Sequence, residues 1–140
     1  MSPKNEAEAV KWFRRAAEQG HREAQFVLAY ACEEGIGIST DAKLAVEWYR
    51  KAAEQGHRSA QRTIGVYHLH GDLLPKDAKE AAHWLQLAAD QEEPAALYNL
   101  SACYRNGLGV PPDYNKACAL LKRAADAGHE QAAKLVKQLR

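Results

Sequence analysis

From residue 42 to 55 the chain reads AKLAVEWYRKAAEQ, and its apolar positions Ala45, Trp48, Tyr49 and Ala52 follow the three-and-four spacing of one helix face. Asp41, just ahead, suits an N-cap because its carboxylate accepts the free N–H groups of a first turn. Gly56 stands where a left-handed residue ends a helix. The next stretch, RSAQRTIGVYHLH, places Ala60, Ile64 and Tyr67 or His68 on one face and stops at Gly71. No stretch alternates apolar and polar residues with the period of a strand. The same reading along the chain predicts eight helices, at about 6–19, 22–34, 42–55, 58–70, 78–91, 94–106, 114–127 and 130–139.

These helices come from one unit used several times. AAEQGH stands at 16–21 and again at 52–57, 36 positions on, and AADAGH stands at 124–129. Between 9–24 and 45–60, twelve of sixteen positions are identical. At that shift Ala9, Ala45, Ala81 and Ala117 fall in one column, and Trp12, Trp48, Trp84 and Leu120 in another. Asp41, Asp77 and Asp113 form a cap column. A fixed period of this length marks a stacked array, in which each helix pair buries a face against the next. Paired alanines let helices approach closely, and the Trp column is predicted to fill the core beside them. The joint at 88–93 reads AADQEE, so Glu92 and Glu93 replace Gly-His there. A left-handed Glu costs about 1 kcal/mol, so this third joint is expected to differ, with Pro94 opening the next helix.

The frame A-x3-L-G-x2-Y-x2-G-x-G-V-x2-D…A-x2-W-[YF]-x2-A-A-x2-G-[HN] resembles the Sel-one-like repeat (SLR), a relative of the tetratricopeptide repeat. It is carried by Ala24, Leu28, Gly35, Gly37, Asp41, Trp48 and Gly56; by Ala60, Ile64, Gly65, Gly71, Asp77 and Trp84; and by Ala96, Leu100, Tyr104, Gly107, Gly109 and Asp113. Cys32 and His68 depart from the frame's Tyr, and Leu73 from its second loop Gly. The resemblance spans one domain, 1–140: a leading half-repeat helix (1–23), full repeats 24–59, 60–95 and 96–131, and a trailing helix (130–140). It implies an all-α fold, a right-handed α/α superhelical solenoid of antiparallel helix pairs. It also implies a non-catalytic adaptor or scaffold that holds a protein or peptide in a concave groove.

By the same analogy the groove is lined by the first helix of each pair. The positions left free by the frame, and so the predicted partner-binding residues, are Glu23, Phe26, Tyr30, Glu34, Arg62, Val66, His70, Tyr98, Asn99, Arg105 and Lys134. Val27, Leu69, Ala102 and Asn106 share these faces. Phe26, Arg62, Tyr98 and Lys134 form one column in which aromatic and cationic residues alternate. Such residues are enriched at binding hot spots, and equally the two rings can cover neighbouring helices.

Composition narrows the function classes. Nineteen Lys+Arg against eighteen Asp+Glu give a net charge of +1, with no general pull toward nucleic acid or an anionic membrane. MSPKNEAEAV has no apolar leader core, and no stretch nears a membrane span, so a soluble chain without membrane association is expected. Cys32, Cys103 and Cys118 are odd in number and contain no CxxC pair, which predicts buried free thiols and a cytoplasmic location. The disulfide-laddered branch of the family is not matched. His21, His57 and His129 share one joint column, a place to cap the following helix or sit near the end of the preceding one. His68 and His70 project to different sides, so no metal site is expected, and neither a cofactor nor an enzyme motif is present. The alternative to an adaptor is an immunity- or antitoxin-type protein neutralising one cognate effector. A bacterial origin and a monomer, or a weak end-to-end dimer through Leu135 and Leu139, complete the expectation.

Overall fold

The computed structural model describes residues 3–139, with side chains from residue 5 onward. Met1, Ser2 and Arg140, at the limits of the expected 1–140 domain, lie outside the described residues. Those described form eight helices and no strand: α1 (Pro3–Glu18), α2 (Arg22–Glu34), α3 (Ala42–Glu54), α4 (Arg58–His70), α5 (Ala78–Asp90), α6 (Pro94–Asn106), α7 (Tyr114–Asp126) and α8 (Glu130–Gln138). The chain is an all-α helical-repeat solenoid by class.

The predicted punctuation produces the helix ends. Asp41, Asp77 and Asp113 are N-caps, each accepting from the backbone N–H three residues on at 3.0, 3.1 and 3.0 Å. Gly35 and Gly107 close α2 and α6 in left-handed geometry. The second loop glycine has a stricter task. At Gly109 (φ 73°) a Cβ would lie 2.5 Å from the Ala78 carbonyl carbon, and at Gly37 (φ 71°) 2.5 Å from the Glu6 oxygen. Each loop therefore rests on the first turn of an earlier helix, a contact that only glycine permits.

The chain groups into two compact units, residues up to Gln61 and residues from Arg62 on, with the boundary inside α4. In the first, α1 packs on α2 and α2 on α3. Its core holds Val10, Ala17, Leu28, Cys32, Ala45, Tyr49 and Ala53. In the second, α5 packs on α6, α6 on α7 and α7 on α8, around Leu85, Leu97, Leu100, Cys103 and Leu120. Ala52, Ala88 and Ala124 have 0% exposure, so the paired-alanine column does bring helices together.

The Trp column is not uniformly core. Trp12 is 66% exposed under a cation–π contact with Arg15, Trp48 is half-buried beneath Lys51, and only Trp84 is buried. The aromatic that the first unit buries is the next residue, Tyr49, at 2% exposure. Its hydroxyl donates to Glu33 Oε1 at 2.7 Å. Trp12 and Trp84 thus share a place in the repeat but not its burial.

The third joint also departs from expectation, by not departing. Glu92 adopts φ 57° in place of glycine, and the backbone bonds are kept. Glu92 N–H donates to Ala89 O and Glu93 N–H to Ala88 O, at 2.9 and 3.1 Å, as Gly56 and His57 donate to Ala53 and Ala52 at 3.0 and 3.1 Å. Two side chains offset the left-handed cost. Arg123 Nη2 bonds both Glu92 Oε1 and the Ala89 carbonyl, while Glu93 Oε2 accepts from Ala96 N–H at 2.7 Å. In the first and second joints the Ala17 and Ala53 carbonyls are covered instead by Gln25 and Gln61. Leu97 holds that column at the third joint, so an arginine from the next helix pair takes over.

Candidate interaction surface

The joints bind most of the predicted aromatic–cationic column to themselves. Residues 31 apart pair across the second, third and fourth joints, and the chemistry changes on both sides together. Phe26 stacks on His57 with centroids 4.6 Å apart, and Tyr98 stacks on His129 at 4.3 Å. Between them in register, Arg62 faces Glu93 as an ion pair at 3.7 Å. The capping half of each pair does a second job. His57 Nδ1 accepts from Ala60 N–H and His129 Nδ1 from Ala132 N–H, as Glu93 does from Ala96. Since Nδ1 of His57 is an acceptor, Nε2 carries the proton and donates to Glu23 Oε2 at 2.6 Å. His21 caps α2 by position, without a side-chain bond. The covarying pairs were readable as columns 26/62/98 against 57/93/129, although only the fold shows that they touch.

The other predicted positions divide clearly. Tyr30, Glu34, His70, Arg105 and Lys134 are exposed. Val66 leans on the core of the second unit, and Asn99 donates to Ala95 O within α6. Glu23 is exposed but held by His57. The structure thus separates side chains that hold joints (Glu23, Phe26, Arg62, Tyr98) from side chains presented to solvent.

In the second unit α6, α7 and α8 enclose an open pocket of about 130 Å³. Tyr98, Ala102 and Arg105 of α6 line one side, Leu121 and Cys118 of α7 another, and Leu135 and Leu139 of α8 the third. Tyr114 stands at its edge, 61% exposed. A hydrogen bond with Cys118 holds the Tyr114 phenol above its usual pKa. Sequence reading placed Tyr98, Ala102 and Arg105 on one face but did not see the pocket.

All three cysteines are free, and they are not equivalent. Cys32 and Cys103 are fully buried, and burial pushes the Cys103 thiol up to about 11. Cys118 is only half-buried and opens on the pocket. Thiolate is the reactive form, so alkylation of the native protein near pH 8 is expected to modify Cys118 first. Mass spectrometry should find one adduct at Cys118 before any at Cys103, and all three only after unfolding.

His68 is buried, and its Nδ1 donates to the Pro75 carbonyl at 2.9 Å, which ties the loop to α4. Among the described residues no group of three His, Cys, Asp or Glu is placed to hold a metal ion. None of the described helices is long and apolar enough to cross a membrane.

Helix pairs repeated at one period and joined by a shared turn define a helical-repeat protein. The chain belongs to the Sel1-repeat family: the Sel1 repeat matches residues 1–21, 22–57, 58–93 and 94–129. A Sel1 repeat protein from Oxalobacter formigenes has a TM-score of 0.80 and 36% identity, covering 93% of this chain and 52% of that one. The antigen c5321 of uropathogenic Escherichia coli, described as displaying an SLR fold, has a TM-score of 0.83 and 31% identity over 88% of this chain and 26% of its own. Helicobacter pylori cysteine rich protein B shares the fold, with a TM-score of 0.72, 19% identity, and coverage of 96% of this chain and 97% of that one. A stretch of 39 residues, 28% of this chain, is 46% identical to the chitin synthase regulator SKT5 of Malassezia restricta and spans 3% of it. The chain therefore spans about half or less of the first two structures and a small part of the regulator. Proteins built of Sel1 repeats are generally non-catalytic scaffolds that bind other proteins.

Proposed function

We propose that this protein is a non-catalytic scaffold or adaptor, and that it binds a protein or peptide segment on the exposed face of its first-in-pair helices. The observation that carries this reading is the open α6–α8 pocket, where the predicted positions Tyr98, Ala102 and Arg105 line an apolar hollow. Lys134 on α8 is exposed as well, a second cation among the predicted positions of the second unit. Family membership supports protein rather than nucleic-acid partners. Three free cysteines support a cytoplasmic location, and the relatives from Oxalobacter formigenes and Escherichia coli support a bacterial setting.

Affinity capture from native lysate tests the reading, comparing the wild type with an Arg105→Glu, Lys134→Glu variant. Both positions are exposed, so the variant should keep its helical content and melting. It should lose the proteins that the wild type retains. An identical retained set would place the binding surface elsewhere. A single tight partner in place of several weak ones would move the role from adaptor to neutralising protein.

A further inference from the structure

The α6–α8 pocket exists because one column changes its filling from repeat to repeat. In the first unit the Tyr49 ring occupies this column, 5.6 Å from the Phe26 ring, with its hydroxyl on Glu33. One repeat on, the column holds Leu85, and α4 closes on it through Gly65, where a Cβ would lie 2.8 Å from Leu85 Cγ. Two repeats on it holds Leu121, but Ser101, buried, stands where Gly65 allowed that closure. The smaller side chain is not followed inward, and a hollow of about 130 Å³ remains. Apolar cavities of about 150 Å³ accept a benzene ring. The space left open therefore suits the ring that Tyr49 supplies in the first unit.

The charge beside the column is reversed as well. Glu33, the acceptor for the Tyr49 hydroxyl, is replaced two repeats on by Arg105. Arg105 is exposed and is the charged residue among those lining the pocket, so a carboxylate at the mouth is the matching group. The surrounding segment agrees: residues 94–139 carry six Lys+Arg against three Asp+Glu, in a chain whose net charge is +1. Part of that excess is already matched, since Arg123 is paired with Glu92, so Arg105 at the pocket carries the attraction for an acidic segment.

We infer that the pocket receives one aromatic or leucine side chain from an acidic segment of a partner protein, with a neighbouring Asp or Glu carboxylate on Arg105. This rests on the scaffold reading and gives that surface its ligand chemistry. The side chain stands in for the missing ring, packed between the Tyr98 face, Leu121 and Leu135, while the flanking carboxylate stays at the wet rim.

The test uses the full chain and a fluorescein-labelled synthetic peptide with one phenylalanine between glutamates, read by anisotropy. Binding is expected, and Phe→Ala or Glu→Lys peptides should bind at least about tenfold more weakly. Leu121→Tyr restores the first-unit filling and should abolish binding, while Arg105→Glu should weaken it about tenfold or more. If Leu121→Tyr fails to fold, Arg105→Glu on the surface still decides the charge half. Slowed alkylation of Cys118 by saturating peptide decides the pocket half, because that thiol opens on the hollow. Equal binding to Leu121→Tyr, an unchanged alkylation rate, or no binding of the acidic phenylalanine peptide would each overturn the inference. A concentration-dependent dimer lost in Leu121→Tyr would overturn it in favour of a second copy of the chain. Partners captured from lysate that depend on Arg105 and Lys134 yet are indifferent to Leu121→Tyr would sink the pocket and leave the scaffold standing.

Discussion

Replacing Tyr49 with alanine is expected to destabilise the protein by roughly 3–5 kcal/mol, the usual cost of emptying a buried aromatic site. The ring is 2% exposed, lies 5.6 Å from Phe26 and anchors its hydroxyl to Glu33, so its neighbours in α2 lose a packing face and a hydrogen bond together. Tyr49→Phe separates the two contributions and should cost about 1 kcal/mol, the ordinary worth of one such bond. Trp12→Ala should change stability by no more than about 0.5 kcal/mol despite removing a larger side chain, because that indole is 66% exposed. Chemical denaturation of the three variants checks the ordering. A Trp12 variant as unstable as the Tyr49 variant would show that the Trp column, not its neighbour, holds the first unit.

Gly109→Ala is expected to cost about 2–4 kcal/mol, through overpacking and an unfavourable left-handed alanine. The new methyl would meet the backbone of Ala78 and Lys79, at 2.5 Å from the carbonyl carbon and 2.9 Å from the Lys79 nitrogen, and peptide atoms at a helix start cannot swing aside as a side chain can. Gly128→Ala is the matched control. Its φ is also positive, at 99°, but a Cβ there meets nothing within 4 Å, so only the conformational cost of about 1 kcal/mol remains. Equal melting temperatures for the two variants would mean that the loop does not rest on α5. Leu73, in the same column, shows the tolerated case: it takes φ 58° with its side chain 46% exposed.

Much of this was legible in the sequence, for identifiable reasons. Every predicted helix start from α2 onward is the observed one, because Asp caps and joint residues mark starts chemically. The ends fall one residue short in α1, α3, α5, α7 and α8; at the four joints the residue ahead of the Gly or Glu closes the turn rather than the helix. Trp12 was misread because repetition of a residue type shows a shared place in the unit, whereas burial also needs a neighbour to cover it. Glu92 was misread because the compensation comes from Arg123, 31 residues later, and from no local signal. The pocket was hidden for a related reason. It depends on Leu121 facing Ser101 rather than Gly65 or Ala29, and facing columns become apparent only once α6 and α7 are packed.

The paired columns 31 residues apart have a consequence for how such a chain finds its fold. Near-identical joints invite misassembly by one whole repeat, since the backbone turn is the same at each. A slip of that kind would set Phe26 against Glu93, or Arg62 against His129, in place of a stacked ring and an ion pair. A buried carboxylate would then face a hydrocarbon ring, and a guanidinium would lose its counter-ion, each an unfavourable exchange. Ring–imidazole, cation–carboxylate, ring–imidazole thus works as an address written across the joints, by which otherwise interchangeable modules recognise their proper neighbours.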